Sequence, residues 1–304
     1  VYQATCKTLF ERHKLLLSFQ LAIKLEMMKN PNFDYEEYLF FLRGGMNLGD
    51  NKGAMPKPAG QDWITDVAWN HLTELENQLP KSFNTITQAI TLNVREWKGW
   101  FSSKRPVPED NQLPGEWETK CEEPLKKMIV LRCFRPDRVN FAIRNYVKKM
   151  LKDDEFIRSK ATTFGDIFLD SGPIKPIIVI LSPGADPTEA IYKLAEERDQ
   201  EIRSISLGKG QEKKAVNFLT ENAADGTWCF LSNCHLSASL LPELEATLDE
   251  IHVNKAYKDS FRLIMSAAPS DEFPISLLQK SVKMTLEPPR GIKANMIRLY
   301  KNMG

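Results

Sequence analysis

The chain has 304 residues, 42% of them hydrophobic and 27% charged. That balance excludes a disordered chain and suffices for one large or two ordinary domains. With 41 basic and 40 acidic residues and a formal net charge of +1, it gives no argument for nucleic acid or an anionic membrane as partner.

The first regime, up to about Gly115, is helical. From Thr5 to Met28 the residues Leu9, Phe10, His13, Leu16, Leu17, Gln20, Leu21, Lys24 and Leu25 recur at three-four spacing. Leu15, Phe19 and Ile23 widen the stripe, so this helix is expected to be buried on more than one side. Tyr35 to Leu42 reads as a second helix, stopped by Gly44-Gly45, and Asn47 to Gln61 as a loop. Asp62 is the N-cap candidate for a helix carrying Trp63, Val67, Ala68 and Leu72. Ser102 to Gly115 holds Pro106, Pro108 and Pro114 and reads as a linker. A helical pair follows, Glu118 to Arg132 and then a helix opened by Pro136 with Val139, Ile143, Tyr146, Val147 and Met150 on one stripe.

The second regime alternates strand and helix. Pro176 to Leu181 is an apolar run rich in Ile and Val, the mark of a strand covered on both faces. Ser182 to Pro187 is a turn, in which Asp186 can cap the next helix and Pro187 can take its first position. Strands are predicted at Arg203 to Leu207, Thr227 to Leu231, Phe261 to Ser266 and Val282 to Leu286. Helices are predicted up to about Arg198, over Glu212 to Asn222 and over Pro242 to Ile251. The pattern predicts an α/β fold: an all-helical N-terminal region, then a five-stranded parallel sheet with helices on both faces.

The chain begins at Val1 without the pattern of an export signal, and its longest apolar run, Ile177 to Leu181, is far too short to span a bilayer. Five cysteines with no C-x-x-C pair suit free thiols in a reducing compartment. Both ends fall inside helical patterns, Thr5 to Met28 and Ile292 to Asn302, which points to a piece of a longer polypeptide.

Three stretches invite a chemical reading. The strand, glycine turn and helix around Gly184 stand where a phosphate-binding loop of pattern G-x-x-x-x-G-K-[ST] would lie. Counted from Gly184, the second glycine position holds Glu189, the lysine position Ala190 and the hydroxyl position Ile191. Both the phosphate-binding ammonium and the magnesium-binding hydroxyl are missing, and Asp186 and Glu189 would repel phosphate. A capped turn that binds nothing is the plainer reading. In Trp228 to His235, Ser232 and Asn233 stand where an ATPase strand ends in an acid that holds magnesium and one that orients water. Cys234 beside His235 suggests a nucleophile and its base, against buried core cysteines with no third orienting group. Leu207-Gly208-Lys209-Gly210-Gln211 is a weak glycine motif, more simply a tight turn. The run Glu196 to Arg203 reads as a solvated helix end. Trp63, Trp69, Trp97, Trp100 and Trp117 read as core packing, with a surface covered by a neighbour as the alternative.

Taken in order, Leu181-Ser182-Pro183-Gly184-Ala185-Asp186-Pro187, Ser206-Leu207-Gly208 with Gly210-Gln211, Gly226 with Trp228 through Asn233-Cys234-His235-Leu236, and Val282-Lys283-Met284-Thr285 with Glu287-Pro288-Pro289, Gly291 and Ala294-Asn295 resemble the sixth AAA+ module of dynein heavy chains. Leu9-Phe10-Glu11 with His13-Lys14-Leu15-Leu16, and Leu131-Arg132 with Arg135-Pro136-Asp137-Arg138, resemble the path into it from the fifth module. Phe40 to Gly45 looks more like axonemal heavy chains than cytoplasmic ones.

The resemblance implies that residues 1–117 end the fifth module's helical subdomain and that 118–304 form the large subdomain of the sixth. It further implies a module that binds no nucleotide or other cofactor and has no catalytic residue of its own. Its implied role is mechanical, in an ATP-driven microtubule motor of the cytoskeleton, in the axoneme if the subtype holds. The implied partners are neighbouring AAA+ modules and, through other parts of the parent, intermediate and light chains and microtubules. Two rival readings are a regulatory module that binds nucleotide without hydrolysing it and a thiol hydrolase using Cys234 and His235.

Overall fold

The computed structural model describes residues 2–44, 57–58, 60–158, 163–208, 212–288 and 291–301. The chain divides into two compact units: Val1–Lys14 with Ser159–Gly304, and Leu15–Arg158.

The first unit is built on five parallel strands: β1 (Ile177–Leu181), β2 (Ile202–Ser206), β3 (Trp228–Ser232), β4 (Leu263–Ala267) and β5 (Val282–Leu286). Their order across the sheet is β2-β3-β4-β1-β5. Ile177 of β1 pairs with Ile264 of β4 and Val282 of β5, and Ser206 of β2 with Ser232 of β3, so all carboxyl ends lie along one edge. Because successive side chains point to opposite faces, the apolar strands serve two cores. Ile178, Cys229, Leu231, Leu263 and Met265 face the helices Glu212–Asp225 and Leu241–Val253. Ile177, Val179, Trp228, Phe230, Ile264 and Met284 face Thr188–Glu197 and Phe164–Asp170. The predicted α/β architecture is the observed one, and β5 has the predicted ends.

Three of the helix boundaries that differ from expectation have a visible cause. The predicted helix from Thr5 to Met28 is two, Tyr2–Thr8 and Glu11–Lys29. At the break the Leu9 carbonyl accepts from Thr285 Oγ1 of β5 at 2.9 Å, and Lys7 pairs with Asp170 at 2.7 Å, so tertiary bonds replace the helical ladder. The helix near Asp62 starts at Asp66 instead, capped by Thr65, whose hydroxyl accepts from the Ala68 N–H at 3.2 Å. The stretch from Glu118 to Arg132 is split into Trp117–Lys120 and Pro124–Phe134, the second opened by its proline.

The second unit is helical, with one core from Phe19 to Val147. Phe134 lies at its centre, with ring centroids 5.6 Å from Trp97, 5.7 Å from Trp100, 6.1 Å from Trp63 and 6.3 Å from Phe101. The stretch expected as a linker belongs to this unit. Leu113 is buried, its N–H donates to Glu118 at 2.6 Å, and Glu109 is paired to Arg138. The compact unit therefore runs past residue 117 to Arg158. Tyr146 donates to the carboxylate of Glu26, tying Val139–Leu151 to Glu11–Lys29.

Candidate functional site at the carboxyl edge of the sheet

In open α/β sheets, ligands bind outside the carboxyl ends of the strands, and the turn at Gly184 and the stretch from Ser232 to His235 both follow such ends. After β1 the chain is held to β5 by a bond from the Ser182 N–H to the Leu286 carbonyl at 3.0 Å. The turn closes with Ala185 N–H to Ser182 O at 3.0 Å, and Gly184 supplies the φ of 80° that other residues rarely adopt. The next helix begins at Thr188, one residue later than a first-position Pro187 would give.

What stands at that helix N-terminus is a carboxylate. Asp186 Oδ1 accepts from the Thr188 N–H at 3.0 Å and from its hydroxyl at 2.7 Å. Pro187 has no N–H to offer. The donor that would face a phosphate is thus engaged by a side-chain anion, which also answers the helix dipole. Glu189 and Ala190 are exposed, whereas Ile191 is fully buried in the core formed with Val179 and Trp228. The position where a magnesium-binding hydroxyl would stand points into apolar packing.

At the end of β3, Ser232 is half-buried and its carbonyl accepts from the Leu207 N–H at 2.9 Å. Asn233 adopts a left-handed conformation, φ 57° and ψ 39°, which asparagine tolerates better than most residues. Its amide donates to Ser206 Oγ at 3.1 Å, and its N–H to Ser266 Oγ at 3.4 Å. His235 Nδ1 accepts from the Ala268 N–H at 3.1 Å. The ends of β2, β3 and β4 are stitched together by neutral groups. The turn after β1 and the end of β3 share the edge, with β4 between their strands.

The cysteine and histidine are not a catalytic pair. Cys234 is fully buried and donates to the Leu231 carbonyl at 3.4 Å, and burial pushes its thiol up to about 12. A nucleophilic thiolate needs the opposite environment, electropositive and partly exposed. The imidazole nitrogen that bonds is taken by Ala268. Among the described residues no group of three or more His, Cys, Asp or Glu side chains is placed to hold a metal ion. The glycine motif is described only at Leu207 and Gly208; Lys209, Gly210 and Gln211 lie outside the described residues. Ser206, Ser266 and His235 were not among the sequence candidates as partners of Asn233 and its neighbours. For Ser206 and Ser266 the only signal was a polar residue at or next to the end of a strand.

Residues 172–285 match the Dynein heavy chain region D6 P-loop domain. Over its whole length the chain is 41% identical to human "Dynein axonemal heavy chain 2" and 39% identical to the "Dynein-1-beta heavy chain, flagellar inner arm I1 complex" of Chlamydomonas reinhardtii. It is 35% identical to human "Dynein axonemal heavy chain 1". It spans 7%, 6% and 7% of those relatives, respectively. The parallel sheet, the strand–turn–helix at Gly184 and these matches together show that the chain belongs to the dynein heavy chain family and carries its D6 P-loop domain.

Proposed function

We propose that this chain is a non-catalytic, mechanical segment of the AAA+ ring of an axonemal dynein motor, with a nucleotide site that has lost its chemistry. In this reading residues 118–304 are the large subdomain of the sixth module and residues 1–117 the end of the fifth module's helical subdomain. The single observation that carries it is the Asp186 carboxylate bound to the Thr188 N–H and hydroxyl. Two further observations support it. Ile191 is buried where a metal-binding hydroxyl is needed. Asn233 is bonded to Ser206 where an acid is needed. A phosphoryl-transfer site works by positioning and by stabilising developing charge, whereas the bonds made by Asp186, Asn233 and His235 are to a threonine, two serines and a backbone N–H.

The module's contribution is then to pack against neighbouring modules and pass rearrangements on as a rigid body. The partners are those neighbours and, through other parts of the heavy chain, intermediate and light chains and microtubules. The setting is the axoneme of a cilium or flagellum.

The reading is tested in the full-length heavy chain carrying this segment, with Ser232→Ala and Asn233→Ala combined. ATPase turnover is expected to stay within about twofold of the parent. A fall of roughly a hundredfold, the scale on which loss of one transition-state-stabilising group acts, would make this edge a working site.

A further inference from the structure

The sheet has two edges, and the chain treats them differently. At β5 the helix Tyr2–Thr8 lies alongside the strand, and the Thr285 hydroxyl donates to the Leu9 carbonyl at 2.9 Å. At the other edge β2 has β3 as its single neighbour in the sheet.

The ladder fixes which backbone groups of β2 point away from the sheet. The Trp228 N–H donates to the Glu201 carbonyl and the Leu207 N–H to the Ser232 carbonyl, both at 2.9 Å. In a parallel ladder the residues that bond a given neighbour recur at every second position, so Arg203 and Ile205 also bond β3. Ile202, Ser204 and Ser206 therefore direct their N–H and C=O groups outward. Among the described residues no partner bonds these six groups. Proteins ordinarily blunt an open edge with a proline, a bulge, a free charge or a covering element. β2 has no proline, and its register with β3 runs without a bulge from Ile202 to Ser206. Its one charge, Arg203, is turned onto Glu201 at 2.8 Å and Asp225 at 3.5 Å. Ser204 and Ser206 are exposed, and Ile202 and Ile205 are half-buried.

We propose that β2 is a docking edge for an extended segment of a partner protein, which adds a sixth strand to the sheet. Hydrogen-bond complementarity selects the occupant. A row of alternating donors and acceptors matches another extended main chain, whereas a helix has already paired its own groups. The side chains set the pattern of the segment, since residues on one face pair across strands. Ile205 stands on one face, where a β-branched apolar residue fits beside it. Ser204 and Ser206 stand on the other, with Ser204 Oγ 2.9 Å from the Tyr192 hydroxyl, and there hydroxyl residues fit.

The test is a titration of the isotope-labelled chain with acetyl-Thr-Val-Thr-Val-Thr-amide, followed by amide NMR shifts and hydrogen exchange. In the free chain the amides of Arg203 and Ile205 are expected to be protected and those of Ser204 and Ser206 to exchange freely. The peptide should shift the Ser204 and Ser206 amides saturably, with a dissociation constant of about a millimolar, and slow their exchange roughly fivefold or more at saturation. Ser204→Pro should abolish binding, because proline removes an outward N–H and leaves the bonds to β3 in place. Ser204→Ala loses the contact with Tyr192 but keeps the N–H, and should bind as the parent does. The same peptide N-methylated at all five residues keeps its side chains and should not bind, a control independent of the folding of any variant. Unmoved Ser204 and Ser206 amides, equal affinity for the N-methylated peptide, or equal affinity in the proline variant would each overturn the proposal. So would dimerisation of the free chain that Ser204→Pro abolishes, since the edge would then belong to a second copy.

Discussion

At the carboxyl edge of the sheet, Ser206, Asn233, Ser266 and His235 bond to one another or to adjacent backbone, and Asp186 caps its own helix. In the helical unit, the indole N–H groups of Trp63, Trp100 and Trp117 and the Gln61 Oε1 are buried without partners. Among the described residues, the sheet unit leaves only Asn222 Oδ1 and Arg262 Nε in that state, and neither is at the carboxyl edge. The region that looks like an active site by fold is thus satisfied internally. The region without any catalytic motif is the one holding unmet hydrogen-bonding capacity. Fold locates where a ligand could sit, but the partners of the polar groups there decide whether one is bound.

The contrast can be broken by substitutions in the helical unit. The largest effect is expected from Phe134→Ala, which empties the space shared by Trp63, Trp97, Trp100 and Phe101 and should cost about 3–5 kcal/mol. Urea unfolding followed by tryptophan fluorescence would measure it, since five of the six tryptophans belong to that unit. A loss below about 1 kcal/mol would mean that the cluster collapses around the gap. Next comes Tyr146→Phe, which removes the hydroxyl bound to Glu26 and leaves a partly buried carboxylate short of a donor. About 1.5–3 kcal/mol is expected, the range for hydrogen bonds to charged groups.

A smaller effect is expected at Glu37, whose side chain is buried beside Ser82 at 2.5 Å and Lys126 at 3.8 Å. Burial holds this carboxyl above its ordinary value of 4.5, and the serine bond and the lysine charge oppose the shift only in part. The stabilisation is therefore complete below the unfolded-state pKa and is lost as pH rises through the higher folded value. Glu37→Gln should flatten that decline, gaining on the parent as pH is raised above 4.5. Midpoints of urea unfolding across pH would show it, and parallel curves for the two proteins would refute the assignment.

How far the sequence could be read follows the range of the interactions. β1 was legible because it is a continuous apolar run, and β5 because Val282, Met284 and Leu286 alternate with Lys283 and Thr285. The break at Leu9 was not, because it is set by Thr285, 276 positions away, with neither glycine nor proline to mark it. Asp62 and Thr65 are both capping residues, and only packing selects the second. Three prolines made Ser102 to Gly115 look like a linker, while Leu113 and the Glu109–Arg138 pair draw it into a core. At the candidate site, the replacements at Ala190, Ile191, Ser232 and Asn233 were readable by counting from a motif. The stitching of Asn233 to Ser206 and Ser266 was not, because it depends on which strands are neighbours, and strand order does not follow chain order.

The most direct test of the central claim is titration of the chain with fluorescent ATP and ADP, with and without magnesium. With Asp186 on the helix N-terminus and Ile191 in the core, no saturable binding is expected up to about a millimolar, a free energy near −4 kcal/mol. Saturable binding at micromolar concentration would contradict the account and make the Gly184 turn a live nucleotide site.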